Sequence, residues 1–165
     1  MNAPMRAETA DPQGISTAVK PGEERWRLDA DGTLKDDVTH LQWAARDNGE
    51  DVDWRGAQAY CAGLQLADGA WELPTVEDLT SLYMRDKDKE DVVPCGHHEK
   101  TKFGCKVPAA LQLSGPWFWS RTRLESSGEH GEERAVDVNL IDGRKHPFAT
   151  ANKVHGRALC VQRQG

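Results

Sequence analysis

The stretch Trp71-Glu-Leu-Pro-Thr-Val-Glu-Asp-Leu-Thr-Ser-Leu-Tyr83 constrains the chain more than any other. Pro74 disfavours helical backbone at Leu73, so Trp71 to Leu73 must run extended. Thr75 is a natural N-cap, and Asp78 suits the positive end of the helix that follows. Val76, Leu79 and Tyr83 fall on one helical stripe, with Leu82 beside it. An extended segment therefore turns abruptly into a short helix within a few residues. This corner is a packing device. It holds no nucleophile, and Glu72, Glu77 and Asp78 read as cap and surface charges.

The elements around the corner follow from local pattern. Asp31-Gly32 reads as a two-residue hairpin turn between Trp26–Leu28 and Leu34. Thr39 to Ala44 reads as the next strand, with Leu41 and Trp43 on one face. Asp53 caps a helix whose apolar stripe is Ala57, Tyr60, Cys61 and Leu64. Residues 84–116 mix charge, Gly and Pro and read as a long loop, a length that usually signals function or disorder. Beyond it, "WFWSRTR" reads as a strand. "ERAVDVNLIDGRKHPFA" reads as a hairpin turning at Asp142-Gly143, with Val136, Val138 and Leu140 alternating. "GRALCVQR" closes the chain as a strand with Ala158 and Cys160 on one face and Leu159 and Val161 on the other. Residues 1–23 are polar, aperiodic and contain Pro and Gly. They read as a flexible leader to one domain over 24–165. Two helices in the first half and strands at both ends make an α+β domain.

Composition narrows the function classes. The 165 residues carry a net charge of −6, which disfavours a nucleic-acid partner. No stretch approaches the roughly 20 apolar residues of a membrane span, so membrane insertion is not expected. No apolar secretory region is visible at the N-terminus. Six tryptophans compensate for few aliphatic residues, because each ring can bury roughly 150–250 Å². Four cysteines, Cys61, Cys95, Cys105 and Cys160, permit two disulfides in three connectivities; buried thiols and metal ligands are the alternatives.

The order of motifs resembles the Lcl C-terminal domain family of bacteria, whose name comes from a collagen-like adhesin. The motifs are "DGTLKDDVTHLQWAA", "DWRGAQAYCAGLQLADGAWELPTVEDLTSLY", "FWSRT", "AVDVNLIDGRKHPF" and "RALCVQR", and the resemblance covers residues 26–163. Here the corner is W-E-L-P-T where the family has W-R-L-P-T. Ser120-Arg121 replaces a Ser-Ser pair, and the chain closes A-L-C-V-Q-R. The resemblance implies a C-type lectin-like fold: two helices flanking antiparallel sheets, paired terminal strands and a long central loop that carries ligand contacts. It also implies a Cys61–Cys160 disulfide from first helix to last strand, with Cys95–Cys105 closing the loop. A periplasmic, secreted or cell-surface location follows if a signal peptide has been removed.

The function expected from this reading is a non-catalytic adhesion or binding module that recognises a glycan or protein surface. The Glu-Pro-Asn, Gln-Pro-Asp and Trp-Asn-Asp motifs of calcium lectins do not occur, so the binding is expected to need no calcium, other metal or cofactor. The expected ligand-binding residues are Trp119, Arg121, Arg123, Asn139, Arg144 and His146, with Lys145 beside them. Aromatic and arginine side chains suit interface hot spots and anionic glycans. Two other readings remain. One is a subunit of a larger assembly, or a homo-oligomer, using the fold as scaffold. The other is a small metalloenzyme or zinc protein centred on "CGHHEKTKFGC", where Cys95, His97, His98 and Cys105 could supply sulfur and nitrogen.

Overall fold

The computed structural model describes residues 23–124 and 132–163. The expected leader, apart from Glu23, lies outside the described residues. The elements run β1 (Trp26–Leu28), β2 (Thr33–Asp36), β3 (Leu41–Ala44), α1 (Trp54–Ala62), α2 (Val76–Leu82), β4 (Val93–His98), β5 (Thr101–Cys105), β6 (Trp117–Leu124), β7 (Arg134–Asn139), β8 (Lys145–Ala149) and β9 (Val161–Arg163). Among the described residues this is an α+β chain with two α-helices and three antiparallel sheets, ordered β1-β2-β3-β9, β4-β5 and β6-β7-β8. The last strand pairs with β3, which brings the two ends of the domain together.

Both helix starts are where the sequence puts them. The Asp53 carboxylate accepts from Gly56 N, and Thr75 with Asp78 forms a full capping box. The corner between them is clamped from two sides. Glu72 exchanges backbone hydrogen bonds with Val161 of β9, and Arg121 N of β6 donates to the Pro74 carbonyl. Trp71 is buried and its indole donates to Leu66 O.

Two cores sandwich the β6-β7-β8 sheet. On one face Phe118 and Val138 meet Val76, Leu79 and Leu82 of α2, together with Leu34 and Trp43. On the other, Trp119 and Ala135 meet Trp54, Ala57 and Cys61 of α1, together with Trp71 and Leu73. Cys61 is joined to Cys160 and Cys95 to Cys105, in the pairing that the family resemblance implies. The first bond closes a span of 99 residues, for which chain entropy alone gives about 4.7 kcal/mol.

Several expectations are corrected. The Asp31-Gly32 turn is a four-residue loop, because Asp29 N bonds to Thr33 O and Gly32 N to Asp29 O. Thr39 stays outside β3, since its hydroxyl donates to Asp36 and His40 takes a left-handed backbone at φ 63°. Tyr60 is exposed rather than on the inner stripe of α1; Trp54 takes that place and is 4% exposed. The long loop is not structureless: a 3-10 turn at Lys89–Asp91 leads into the β4-β5 hairpin, stapled by its own disulfide. The simple alternation expected in β7 also fails, because both faces of that strand are covered. Ala135, Asp137, Val138 and Asn139 are all buried.

Candidate functional site

The residues expected to bind ligand do not form one patch. Trp119 is fully buried, and its indole donates to Val52 O. Asn139 is 4% exposed, and its side-chain oxygen accepts from Ile141 N. Both are scaffold, held inside by the packing of α1 and by the β7-β8 turn. Arg121 is half-exposed and bonded to Glu72 at 2.7 Å. Arg123 lies over the Trp54 ring and pairs with Glu133. Arg144 pairs with Asp142 inside the β7-β8 turn. Arg144 sits at the Trp117 end of the sheet and Arg123 at the other, six residues along β6, or roughly 20 Å at about 3.3 Å per residue. Each arginine is already matched to a carboxylate, and the set spans the sheet rather than converging. His146 is exposed, with Nδ1 3.0 Å from Pro147 O.

His146 nevertheless belongs to a cluster. Residues paired across an antiparallel sheet share a face. The pairs Trp117↔Asn139, Trp119↔Asp137, Asp137↔His146 and Ala135↔Phe148 therefore put Trp117, Asp137, His146 and Phe148 on one face. His155, from the segment after β8, completes it. Its ring centroid lies 3.8 Å from Phe148 and 4.7 Å from Trp117, while His146 lies 4.5 Å from Phe148. Trp117 stands edge-on to Phe148 at 5.5 Å. The rings run from half-buried to exposed. Val154, next in the chain to His155, is 82% exposed.

Asp137 lies beside this aromatic group and is fully buried, with neither carboxylate oxygen hydrogen-bonded. Gly156 presses on it so closely that a Cβ there would stand 2.6 Å from Oδ2 and 2.8 Å from the Trp119 nitrogen. Only glycine fits that approach. Burial pushes the Asp137 carboxyl up to about 8, so it holds its proton near neutral pH. The His155 Nε2 is also buried without a partner. Burial lowers the His155 pKa, Asp51 opposes that, and His146 adds to it. Behind them Arg157 is bonded to Asp51 at 3.0 Å and to the Ser114 hydroxyl at 2.6 Å.

By contrast, Asp36 is buried but satisfied. Burial alone would raise its pKa, yet hydrogen bonds from Arg25, Thr39 and Val38 N outweigh that and hold it below the usual value. Asp137 lacks any such donor.

Other places are less informative. Among the described residues, no three His, Cys, Asp or Glu side chains are arranged to hold a metal ion. The sulfurs of Cys95 and Cys105 are bonded to each other, so neither is a thiolate beside His97 and His98. Asp86, Asp88 and Glu90 are exposed, as a solvated loop would be. An open cleft of about 820 Å³ lies between β1 and the segment after α2, near Trp26, Tyr83 and Met84. Its Arg25 and Lys87 are already paired with Asp36 and Glu23. No described helix is long and apolar enough to cross a membrane.

Asp137, Phe148, His155 and Gly156 were not among the residues expected from sequence. In "AVDVNL" the aspartate sits between two valines and reads as the solvent side of an alternating strand. The signal that identifies it is its register opposite Trp119, which depends on a bulge in β6 between Trp119 and Arg123.

The sequence profile of the Lcl C-terminal domain family matches residues 32–161, and the chain belongs to that family. Comparison with curated proteins gave no match, and comparison with solved structures gave none.

Proposed function

We propose that this member of the Lcl C-terminal domain family is a non-catalytic binding module of C-type lectin-like architecture, recognising a glycan or protein surface without calcium. The observation that carries the reading is the cluster of Trp117, His146, Phe148 and His155 at one end of the β6-β8 sheet, with exposed Val154 alongside. Partly exposed rings held by a rigid sheet present apolar area at little entropic cost, which suits recognition. Paired terminal strands, two helices and a long stapled excursion support the lectin-like architecture. Two disulfides support an oxidising compartment outside the cytoplasm.

A raised carboxyl pKa beside imidazoles also suits general acid–base catalysis. Ser120, next to Trp119 on β6, is fully buried and donates to Val136 O, so it offers no nucleophile. Binding is therefore favoured over catalysis. A glycan array combined with protein pull-down tests the reading. The parent chain should retain a ligand that Trp117→Ala and His146→Ala lose while still unfolding cooperatively, with Trp117→Ala melting somewhat lower because its ring packs on Phe148 and His155. A ligand held equally by both variants would place the site elsewhere.

A further inference from the structure

We propose that the open edge of β1 is the seat of the chain's own residues 18–22, which run back antiparallel along it with Val19 and Pro21 packed on Leu28. Those residues lie outside the described ones, which begin at Glu23. The site is separate from the aromatic face proposed to bind ligand.

The edge is defined by hydrogen-bond parity. β1 is the outermost strand of its sheet. Asp37 N donates to Arg25 O and Asp29 N to Thr33 O, in the register that pairs Arg27 with Lys35. Bonded and non-bonded pairs alternate along an antiparallel ladder, so Arg25, Arg27 and Asp29 turn their backbone polar groups to β2. Trp26 and Leu28 therefore turn their N–H and C=O groups to the free side. An uncovered edge of this kind invites pairing with another strand.

The chain is itself directed there. The Trp26 N–H, on the free side, donates to Glu23 O at 3.0 Å and closes a tight turn over Glu24 and Arg25. Glu23 thus lies on the free side, and the residues that precede it leave along that edge. Continuing the register of the turn sets Pro21 opposite Leu28 and Val19 opposite Ala30. The Leu28 N–H then donates to Pro21 O, and Pro21 has no N–H of its own to satisfy.

The side chains match what the edge offers. Residues paired across a ladder share a face. Pro21 and Val19 fall on the face of Trp26 and Leu28, and Lys20 falls on the other with Arg27. A hollow of about 390 Å³ opens beside β1, with Trp26, Leu28, Ala109 and Ala110 in its wall. Leu28 is 54% exposed. The charges of the hollow are already matched: Lys87 bonds to Glu23 at 2.7 Å, Ala109 N donates to the Glu23 carboxylate, and Asp91 is engaged. What stays uncovered is apolar, and Val19 and Pro21 cover it while Lys20 keeps to the outer face. Joined to the edge through a two-residue turn, the segment competes at an effective concentration of about millimolar or more against any outside strand.

The test places the photo-crosslinker p-benzoylphenylalanine at Val19 of the full chain and, separately, at Lys20. From position 19 it should link within the chain to Leu28 or to Ala109 and Ala110, whereas from position 20 it should not reach the alanines. Mixing light and heavy isotope-labelled chains before irradiation tells links within one chain from links between copies. Independently, the Leu28 amide should be protected from hydrogen exchange in the parent. It should exchange about tenfold faster in Val19→Asp with Pro21→Asp, as for an edge covered about nine-tenths of the time. Both substitutions precede β1, so the domain should still unfold cooperatively; if it does not, the crosslinks decide. A Leu28 amide that exchanges like an unstructured peptide, or equally in both proteins, overturns the proposal. Equal linking of both positions to the alanines overturns it as well. Links only between copies would make the edge a dimer contact, and no links from position 19 would leave it to an outside strand; each removes the proposed occupant.

Discussion

Replacing Asp137 with Asn should change the pH dependence of stability by a calculable amount. In the folded chain the carboxyl titrates at about 8 against an ordinary value of 3.8. Between those values the folded state keeps a proton that the unfolded state has released, so unfolding releases a proton and rising pH favours it. Stability from this group is full below pH 3.8, falls across the window and is flat above about 8. At about 1.36 kcal/mol per unit, the 3.2 units from pKa 3.8 to pH 7 amount to about 4 kcal/mol, and the whole window to about 6 kcal/mol. Against a net stability of roughly 5–15 kcal/mol this is large. Urea unfolding of the parent and of Asp137→Asn, at intervals from pH 4 to 9, measures it. The variant should gain on the parent by about 1.4 kcal/mol per pH unit up to about 8, then run parallel. His155 is present in both proteins and largely cancels in the difference. Any difference in pairing between the asparagine amide and the acid is an offset that does not vary with pH. A difference curve that is flat between pH 5 and 8 would refute the buried, unpartnered acid.

Leu79→Ala should cost about 2–5 kcal/mol, because the side chain is fully buried between α2 and the sheets; thermal and urea melts will show it. Gly156→Ala should destabilise by about 1–3 kcal/mol, since its Cβ would meet the Asp137 carboxyl and the Trp119 indole; a melt equal to the parent would contradict that packing. Arg121→Ala, Arg123→Ala and Arg144→Ala together should lower stability only slightly, as exposed ion pairs are worth about 0–1 kcal/mol each. Denatured, unreduced protein should titrate no free thiol, and peptide mapping should link Cys61 to Cys160 and Cys95 to Cys105.

The sequence by itself determined whatever depends on neighbours along the chain. The Asp53 cap, the Thr75–Asp78 capping box and the extended Trp71–Leu73 segment are set by residues within three or four positions. The order of its motifs, compared with a known family, also carried the disulfide pairing. The tertiary structure decided everything that depends on which faces are covered. Alternation identifies a buried face only when the other face meets water. In β7, α2 and its core close one side, α1 and its tryptophans close the other, and Asp137 ends up inside. The same closure took Trp119 and Asn139 out of reach of a ligand. The arginines went to separate carboxylates because a sheet holds residues six positions apart at opposite ends, whatever their nearness in sequence. The aromatic cluster needed three segments, β6, β8 and the approach to β9, brought together by register and by the β6 bulge, and neither can be read from one strand alone.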